Sequence, residues 1–368
     1  MQDKTKSWAP LSGVKVLEYG TGVAAAYCAK LLKQLGAEVV KIRNPFEPPI
    51  NADVELRRRA ESLFLDADKQ WLDQELGSPD FLRRLATTDV VVRGFEPSDG
   101  TAVAVREEYE QWRRQRNSLI FVALTPFGVT GPGSRWRGGD LNAQALSGWT
   151  YITGNPNEAP LSMNYGMGAL QHGLTAAGAT VVALLERGAG EFVDVSEADV
   201  IASTMRMYSL TYRFLAIDPK RNGLRAPGSS GRYPHTLLPC KDGYISTICR
   251  SETDWNRFLE MMGNPAWAKE PRYRDFYAMG TEYPDEVDAL IIPWLMERTK
   301  DELGELANKF RVPLAPVRTV DEVLRDPQLA HRDFFVPDAE SDTKLPGHVA
   351  RVKSVEPATQ SKPGREGA

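Results

Sequence analysis

Acidic side chains are missing from the centre of this 368-residue chain: none stands between Glu158 and Glu186. Carboxylate chemistry from that stretch is thereby excluded, although it holds one of only four histidines, His172. The four histidines are scattered with no i, i+4 pair, and the three cysteines (Cys28, Cys240, Cys249) lack metal-ligand spacing, which argues against a metal centre. A basic excess is lacking too. The net charge of −4 removes the electrostatic footprint of a nucleic-acid partner. The opening residues MQDKTKSW are too polar for a signal peptide. The longest nearly apolar run, LTAAGATVVALL at 174–185, is too short to span a bilayer, so no membrane partner is expected. An odd, low cysteine count suits reduced thiols and a cytoplasmic location. Cys240 and Cys249 either pair across a hairpin or stay as buried free thiols.

What is present is an ordinary globular mix, 42% apolar and 26% charged, enough for a sizeable core. VKVLEY (14–19), EVVKIR (38–43), DVVVR (89–93) and LIFVAL (119–124) read as buried strands. Helical spacing at 24–36, 79–86 and 105–115 separates them, so the N-terminal part is an α/β layer with a parallel sheet. Glycine and proline then dominate TPFGVTGPGSRWRGG (125–139). Helical patterns follow at 140–149, 168–186 and 197–215, with a strand at 191–195. RNGLRAPGSSGRYP (221–234) reads as a domain junction, and residues 235–250 as a hairpin turning at Lys241–Asp242–Gly243. Helices are expected near 252–262, 284–297 and 300–309. VPLAPVRTV (312–320) reads as a strand returning to the first domain, and the C-terminus as a frayed tail.

The first strand runs into Gly20-Thr21-Gly22-Val23-Ala24-Ala25, a G-x-G-x-x-A turn in the setting of a dinucleotide fingerprint. The acid that would hold the ribose is absent, and Arg43 stands at the end of the second strand. An arginine there suits a 2′-phosphate, while close strand-to-helix packing accounts equally for the small residues. An NADP-dependent oxidoreductase is one reading of this turn.

Taken in order, LSGVKVLEYG…LLKQLGAEVVKIRNP (11–45), DADK (66–69), TTDVVVRGFEPS (87–98), LIFVALTPFGVTGP (119–132), GGDLNAQALSG (138–148), ALLERGAGEFVDVSEAD (183–199) and APVRTVDEVLRDPQLAHRDFF (315–335) resemble the class III (CaiB/BaiF-type) CoA-transferase family. The resemblance implies an α/β fold: a Rossmann-like large domain from both chain ends plus a small α+β domain. It also implies two subunits threaded through each other as an interlocked dimer. On this division residues 1–220 form the N-terminal part of a large CoA-binding domain. Residues 221–312 form the small domain with its glycine-rich junction, and 313–368 return to the large domain and the tail. The segment 226–234 resembles the family's mobile glycine-rich loop.

Coenzyme A, as substrate or bound ligand, and no metal are what the resemblance implies. Carried over by position, the CoA contacts are Val23, Ala24, Lys69, Gly94, Phe95 and Arg137. The family's Asn-Arg-x-Lys and Glu-Asn-Phe are rewritten here as Asp66-Ala67-Asp68-Lys69 and Arg93-Gly94-Phe95. The family nucleophile is an aspartate in a pattern like Asp-Leu-x-x-Gly. In Ala169-Leu170-Gln171-His172-Gly173 that position is Ala169. The histidine of the family's racemase branch falls on Gly139. Asp140, Gln144 and His172 remain near the site. Asp140 reads as a helix cap or a substrate-facing acid, and His172 as a packed histidine or a general base. Trp136, Trp149 and Tyr151 hint at an apolar acyl pocket or at core packing.

The leading expectation is a CoA- or acyl-CoA-binding chain whose transfer reaction needs an Asp-bearing partner; the chain forms a homodimer or a heterodimer with an Asp-bearing paralogue. A lone enzyme using His172 and Asp140 for proton transfer, elimination, hydration or hydrolysis is an alternative. A non-catalytic CoA-binding scaffold is another.

Overall fold

The structure, a computed structural model, describes residues 8–43, 52–95, 102–164, 166–186, 188, 190–225, 232–337, 344–348 and 350. The chain divides into two compact units. One comprises Met1–Gly139, Gly166–Glu197 and His331–Ala368; the other comprises Asp140–Tyr165 and Ala198–Ala330.

The first unit is built on a parallel sheet whose strands are β1 (Lys15–Tyr19), β2 (Glu38–Ile42), β3 (Gln70–Leu72), β4 (Val90–Gly94), β5 (Ile120–Thr125) and β6 (Phe192–Ser196). Their order is β3-β2-β1-β4-β5-β6, with Leu17 opposite both Val40 and Val91, and Val91 opposite Phe121. The order reverses beside β1, which creates a crevice at the carboxyl ends of β1 and β4. This is the expected α/β architecture. β4 and β5 are buried at every position, because unbroken β-branched and apolar runs have both faces covered.

Helices α1 (Val23–Gln34), α2 (Ala52–Leu65), α3 (Pro79–Leu85) and α4 (Ala102–Trp112) fill the crossovers between the first five strands. Phe81 of α3 and Trp112 of α4 meet edge-on at 5.1 Å, and both join a core with Leu17, Val91 and Phe121. That contact adds roughly 1 kcal/mol beyond simple burial.

Past β5 the chain forms α5 (Asp140–Leu146) and α6 (Trp149–Ile152) in the second unit, then α7 (Met167–Glu186) back in the first. Where one helix was expected over 140–149, Gly148 breaks it with a φ of 85°. The apolar run at 174–185 is one part of α7, which has 20 residues and is long and apolar enough to cross a membrane. In this fold α7 instead packs along α1, burying Ala169, His172, Gly173, Ala176, Ala177, Thr180 and Ala183.

The helix expected over 197–215 is two, α8 (Glu197–Thr204) and α9 (Arg206–Leu215), divided at Met205. In the second unit β7 (His235–Cys240) and β8 (Gly243–Ile248) form the expected hairpin. β9 (Leu314–Pro316) pairs antiparallel with β8. This corrects the reading of 312–320 as a return to the first domain: the segment completes the small sheet of the second unit. Of the helices α10 (Glu252–Met261), α11 (Phe276–Thr281), α12 (Pro284–Met296) and α13 (Lys300–Phe310), α12 and α13 pack on that sheet, α10 against α13 and α11 against α12. Their core centres on Trp255, Phe258, Ile291, Leu295 and Leu303. All three cysteines are free and buried, so Cys240 and Cys249 are not paired.

Candidate active site

Both α1 and α7 begin at the carboxyl edge of the parallel sheet, since each ends just ahead of a parallel strand. They approach so closely that a Cβ added to Gly173 would lie 2.4 Å from the Ala24 carbonyl oxygen. Ala169 is four residues before Gly173, which places it about 6 Å nearer the helix start. It is buried, it stands in the first turn, and no acid stands there with it. At this helix start a positive backbone field is available to an incoming anion.

His172, expected as a possible base, is 2% exposed. Its Nε2–H donates to the Val195 carbonyl at 2.8 Å, which joins α7 to β6. Burial pushes its pKa down to about 4, so the ring is neutral near pH 7. His172 is thus packed and hydrogen-bonded within the first unit.

Asp140 opens α5 in the second unit and accepts from Gln144 Nε2 at 2.7 Å. Gln144 is 1% exposed, and its Oε1 accepts the Met163 N–H at 2.7 Å. Within this unit the Tyr151 hydroxyl donates to Asp218 at 2.9 Å. Trp136, in the first unit, lies edge-on to Phe127 at 5.6 Å and is half exposed.

The residues expected to hold CoA divide by environment. Val23 and Ala24 form the first turn of α1, again without an acid. Thr21 Oγ1, in the turn before it, is buried with no hydrogen-bond partner among the described residues, and Arg137 is exposed. A donor hydroxyl, a helix start and a cation suit the phosphates of CoA. Lys69 differs. Its ammonium donates to Glu18 at 2.7 Å, Asp66 at 2.8 Å and the Ala26 carbonyl at 2.9 Å, with no side-chain exposure. All three donors are spent, so Lys69 neutralises the core of β1 rather than offering a free cation. Lys41 completes this network, 3.0 Å from Glu18 and 2.9 Å from Asp66, and both partners raise its pKa against the opposing effect of burial. The sequence reading missed Glu18 and Lys41; a charged pair inside two strand-like runs was the available signal.

Phe95 is 8% exposed and belongs to the hydrophobic core of the first unit. Gly94 is needed for backbone approach: a Cβ there would fall 2.1 Å from the Thr21 oxygen. Gly20 has a φ of 95°, and its Cβ would fall 2.2 Å from the Gly94 oxygen. The contact accounts for Gly20 of the G-x-G-x-x-A turn without a dinucleotide, and Gly22 has a φ of 103° that favours glycine. Residues 226–231 of the glycine-rich loop lie outside the described residues. Arg225 and Tyr233 on either side both bond to Asp288 of α12, at 2.7 and 2.6 Å.

Comparison with known proteins now adds to this geometry. The model of CoA-transferase family III matches residues 11–367. A succinate–glutarate CoA-transferase from Agrobacterium fabrum is 28% identical, the match covering 94% of this chain and 90% of that protein. The alpha subunit of a succinyl-CoA–L-malate CoA-transferase from Chloroflexus aurantiacus is also 28% identical, over 97% of this chain and 84% of its own. The crystal structure of a CaiB/BaiF family protein from Brucella suis superposes with a TM-score of 0.78 at 24% identity, covering 94% of this chain and 93% of that one. With the doubly wound sheet and the ordered motifs, these matches establish that the chain belongs to CoA-transferase family III.

Proposed function

We propose that this chain is the CoA-thioester-binding subunit of a class III CoA-transferase whose nucleophilic carboxylate is supplied by a second, Asp-bearing chain. The observation that carries this reading is the acid-free start of α7, where Ala169 presents a methyl group. A methyl cannot attack a thioester. That relatives include a protein named as an alpha subunit supports a division of labour between chains. The buried, hydrogen-bonded state of His172 weighs against a lone enzyme that uses it as base.

In the proposed reaction the partner's carboxylate oxygen attacks the acyl carbonyl carbon, the C–S bond breaks, and CoA leaves as thiolate. The acceptor carboxylate attacks the resulting enzyme anhydride and releases the first acid. The thiolate then attacks the new acyl carbon and frees the partner's carboxylate. This chain's share is to bind and orient the thioester. The starts of α1 and α7 offer N–H groups to the anionic oxygens that develop, and Arg137 and Thr21 hold the nucleotide end.

The test incubates the purified chain with succinyl-CoA and hydroxylamine, which converts an enzyme-bound anhydride into a hydroxamate. The wild-type chain is expected to give none on its own residues. Ala169→Asp is expected to give an adduct at position 169. A wild-type adduct on any other carboxylate overturns the reading.

A further inference from the structure

We infer that Gln144 is a positioning residue that ties the carboxylate of Asp140 to the backbone of Met163, so that the two move together. The inference deepens the proposed function, because it rests on Asp140 serving the acyl-CoA site.

A primary amide that is 1% exposed must satisfy both of its ends. The backbone N–H of Met163 can only donate, so the atom it meets at 2.7 Å has to be Oε1. That fixes the amide's orientation. The NH₂ group then necessarily faces Asp140 Oδ2, also at 2.7 Å. Rotating the amide by 180° would set an NH₂ against an N–H and an oxygen against a carboxylate, and would lose both bonds. Asp140 therefore always meets a donor, and its displacement is felt at Met163.

Both contacts lie within one compact unit. Gln144 sits one helical turn after Asp140 on α5, the spacing that stacks two side chains on one face. Met163 lies 19 residues from Gln144, beyond a loop that closes on itself through Leu161 N–H to the Thr153 carbonyl at 3.0 Å. The link thus spans a loop whose own internal bond stops short of Met163. Asparagine at position 144 would be one methylene too short to make both contacts. Glutamate would keep the acceptor for Met163 and place a second carboxylate against Asp140.

The experiment labels the full chain with ¹⁵N-methionine and follows the Met163 amide resonance. Asp140→Ala is expected to shift this resonance in the wild-type background and to leave it unmoved when Gln144 is Leu. Gln144→Leu is expected to speed hydrogen exchange at Met163 at least tenfold. Gln144→Glu, close in shape, serves if the leucine variant fails to fold: it should keep Met163 protected while Asp140→Ala shifts the resonance in the opposite sense. If Asp140→Ala leaves the Met163 amide in place in the otherwise wild-type chain, the inference is wrong. Succinyl-CoA is then added. If it moves nothing while the Asp140-to-Met163 coupling persists, the positioning link stands and the acyl-CoA reading of the site falls.

Discussion

The Nε2–H of His172 donates to the carbonyl of Val195 at 2.8 Å, fastening the first turns of α7 to the edge strand β6. The ring is almost fully buried and nothing charged compensates it, so its pKa falls from 6.5 to about 4. The sign follows from linkage. Above pH 6.5 both folded and unfolded chains carry the neutral ring. Between about 6.5 and 4 the unfolded chain binds a proton that the folded chain refuses. Stability therefore falls on acidification through that window, by on the order of 3 kcal/mol from this one group.

His172→Gln keeps a donor within reach of Val195 and removes the titration. The difference between wild type and variant in urea-unfolding free energy should shrink in the variant's favour as pH drops from 6.5 to 4. A difference that stays constant across that range would show that the ring titrates normally. On the proposed function, in which a partner's carboxylate does the chemistry, activity in the reconstituted transferase should survive the substitution.

Lys69 supplies a second test. Its ammonium is enclosed by Glu18, Asp66 and the Ala26 carbonyl. Lys69→Met leaves two carboxylates facing Lys41 alone, and removing one partner of a buried network costs about 3–5 kcal/mol. Adding Glu18→Gln restores the balance and should recover a good part of the loss, as read from denaturant midpoints. If Lys69→Met left stability intact and weakened only CoA binding, the lysine would be a ligand contact after all.

How far these features were legible depends on their range. β4 and β5 were plain because VVVR and IFVAL are apolar at successive positions, a local property. The starts of α1 and α7 were plain from glycine spacing. β9 was not, since Leu314–Pro316 gains its identity only by pairing with β8, some 70 residues earlier in the chain. The single helix expected at 197–215 failed because its apolar periodicity continues across Met205 while the backbone turns there. At the site, the sequence located Lys69 but not its burial. A lysine reads as a surface cation until Glu18 and Asp66, 51 and 3 residues away, are brought to it. The meaning of Gln144 was likewise hidden, because one of its two partners is a backbone N–H.

Asp288 offers a third prediction. It accepts from the Tyr233 hydroxyl at 2.6 Å and from Arg225 at 2.7 Å, and so pins both flanks of residues 226–231 to α12. Burial and the facing carboxylate push the Tyr233 phenol well above its ordinary value, so it stays a donor at every working pH. Asp288→Ala strands the buried Tyr233 hydroxyl and leaves Arg225 with Asp285 alone, costing about 1–3 kcal/mol. Limited proteolysis should cut at 226–231 faster in this variant. Equal cutting rates would mean that the flanks are held by something other than Asp288.

Two glycines of α7 should respond to the same substitution with opposite signs. Alanine is a better helix former than glycine by about 1 kcal/mol, so an unobstructed Gly→Ala change inside a helix stabilises. Gly178 meets this condition, with nothing among the described residues within 4 Å of an added Cβ. Gly173 does not. Its Cβ would stand 2.4 Å from the Ala24 oxygen and 3.1 Å from the Tyr27 Cβ, and the first is a backbone atom inside a packed helix. Overpacking of that kind costs about 1–3 kcal/mol, more than the propensity gain. Gly178→Ala should therefore raise the melting temperature and Gly173→Ala lower it. The lowered stability should come with a displaced start of α7, visible as weaker succinyl-CoA binding in Gly173→Ala and unchanged binding in Gly178→Ala. If both substitutions stabilised, α1 and α7 would have to stand farther apart than the Gly173–Ala24 contact allows, and the position inferred for Ala169 would move with them.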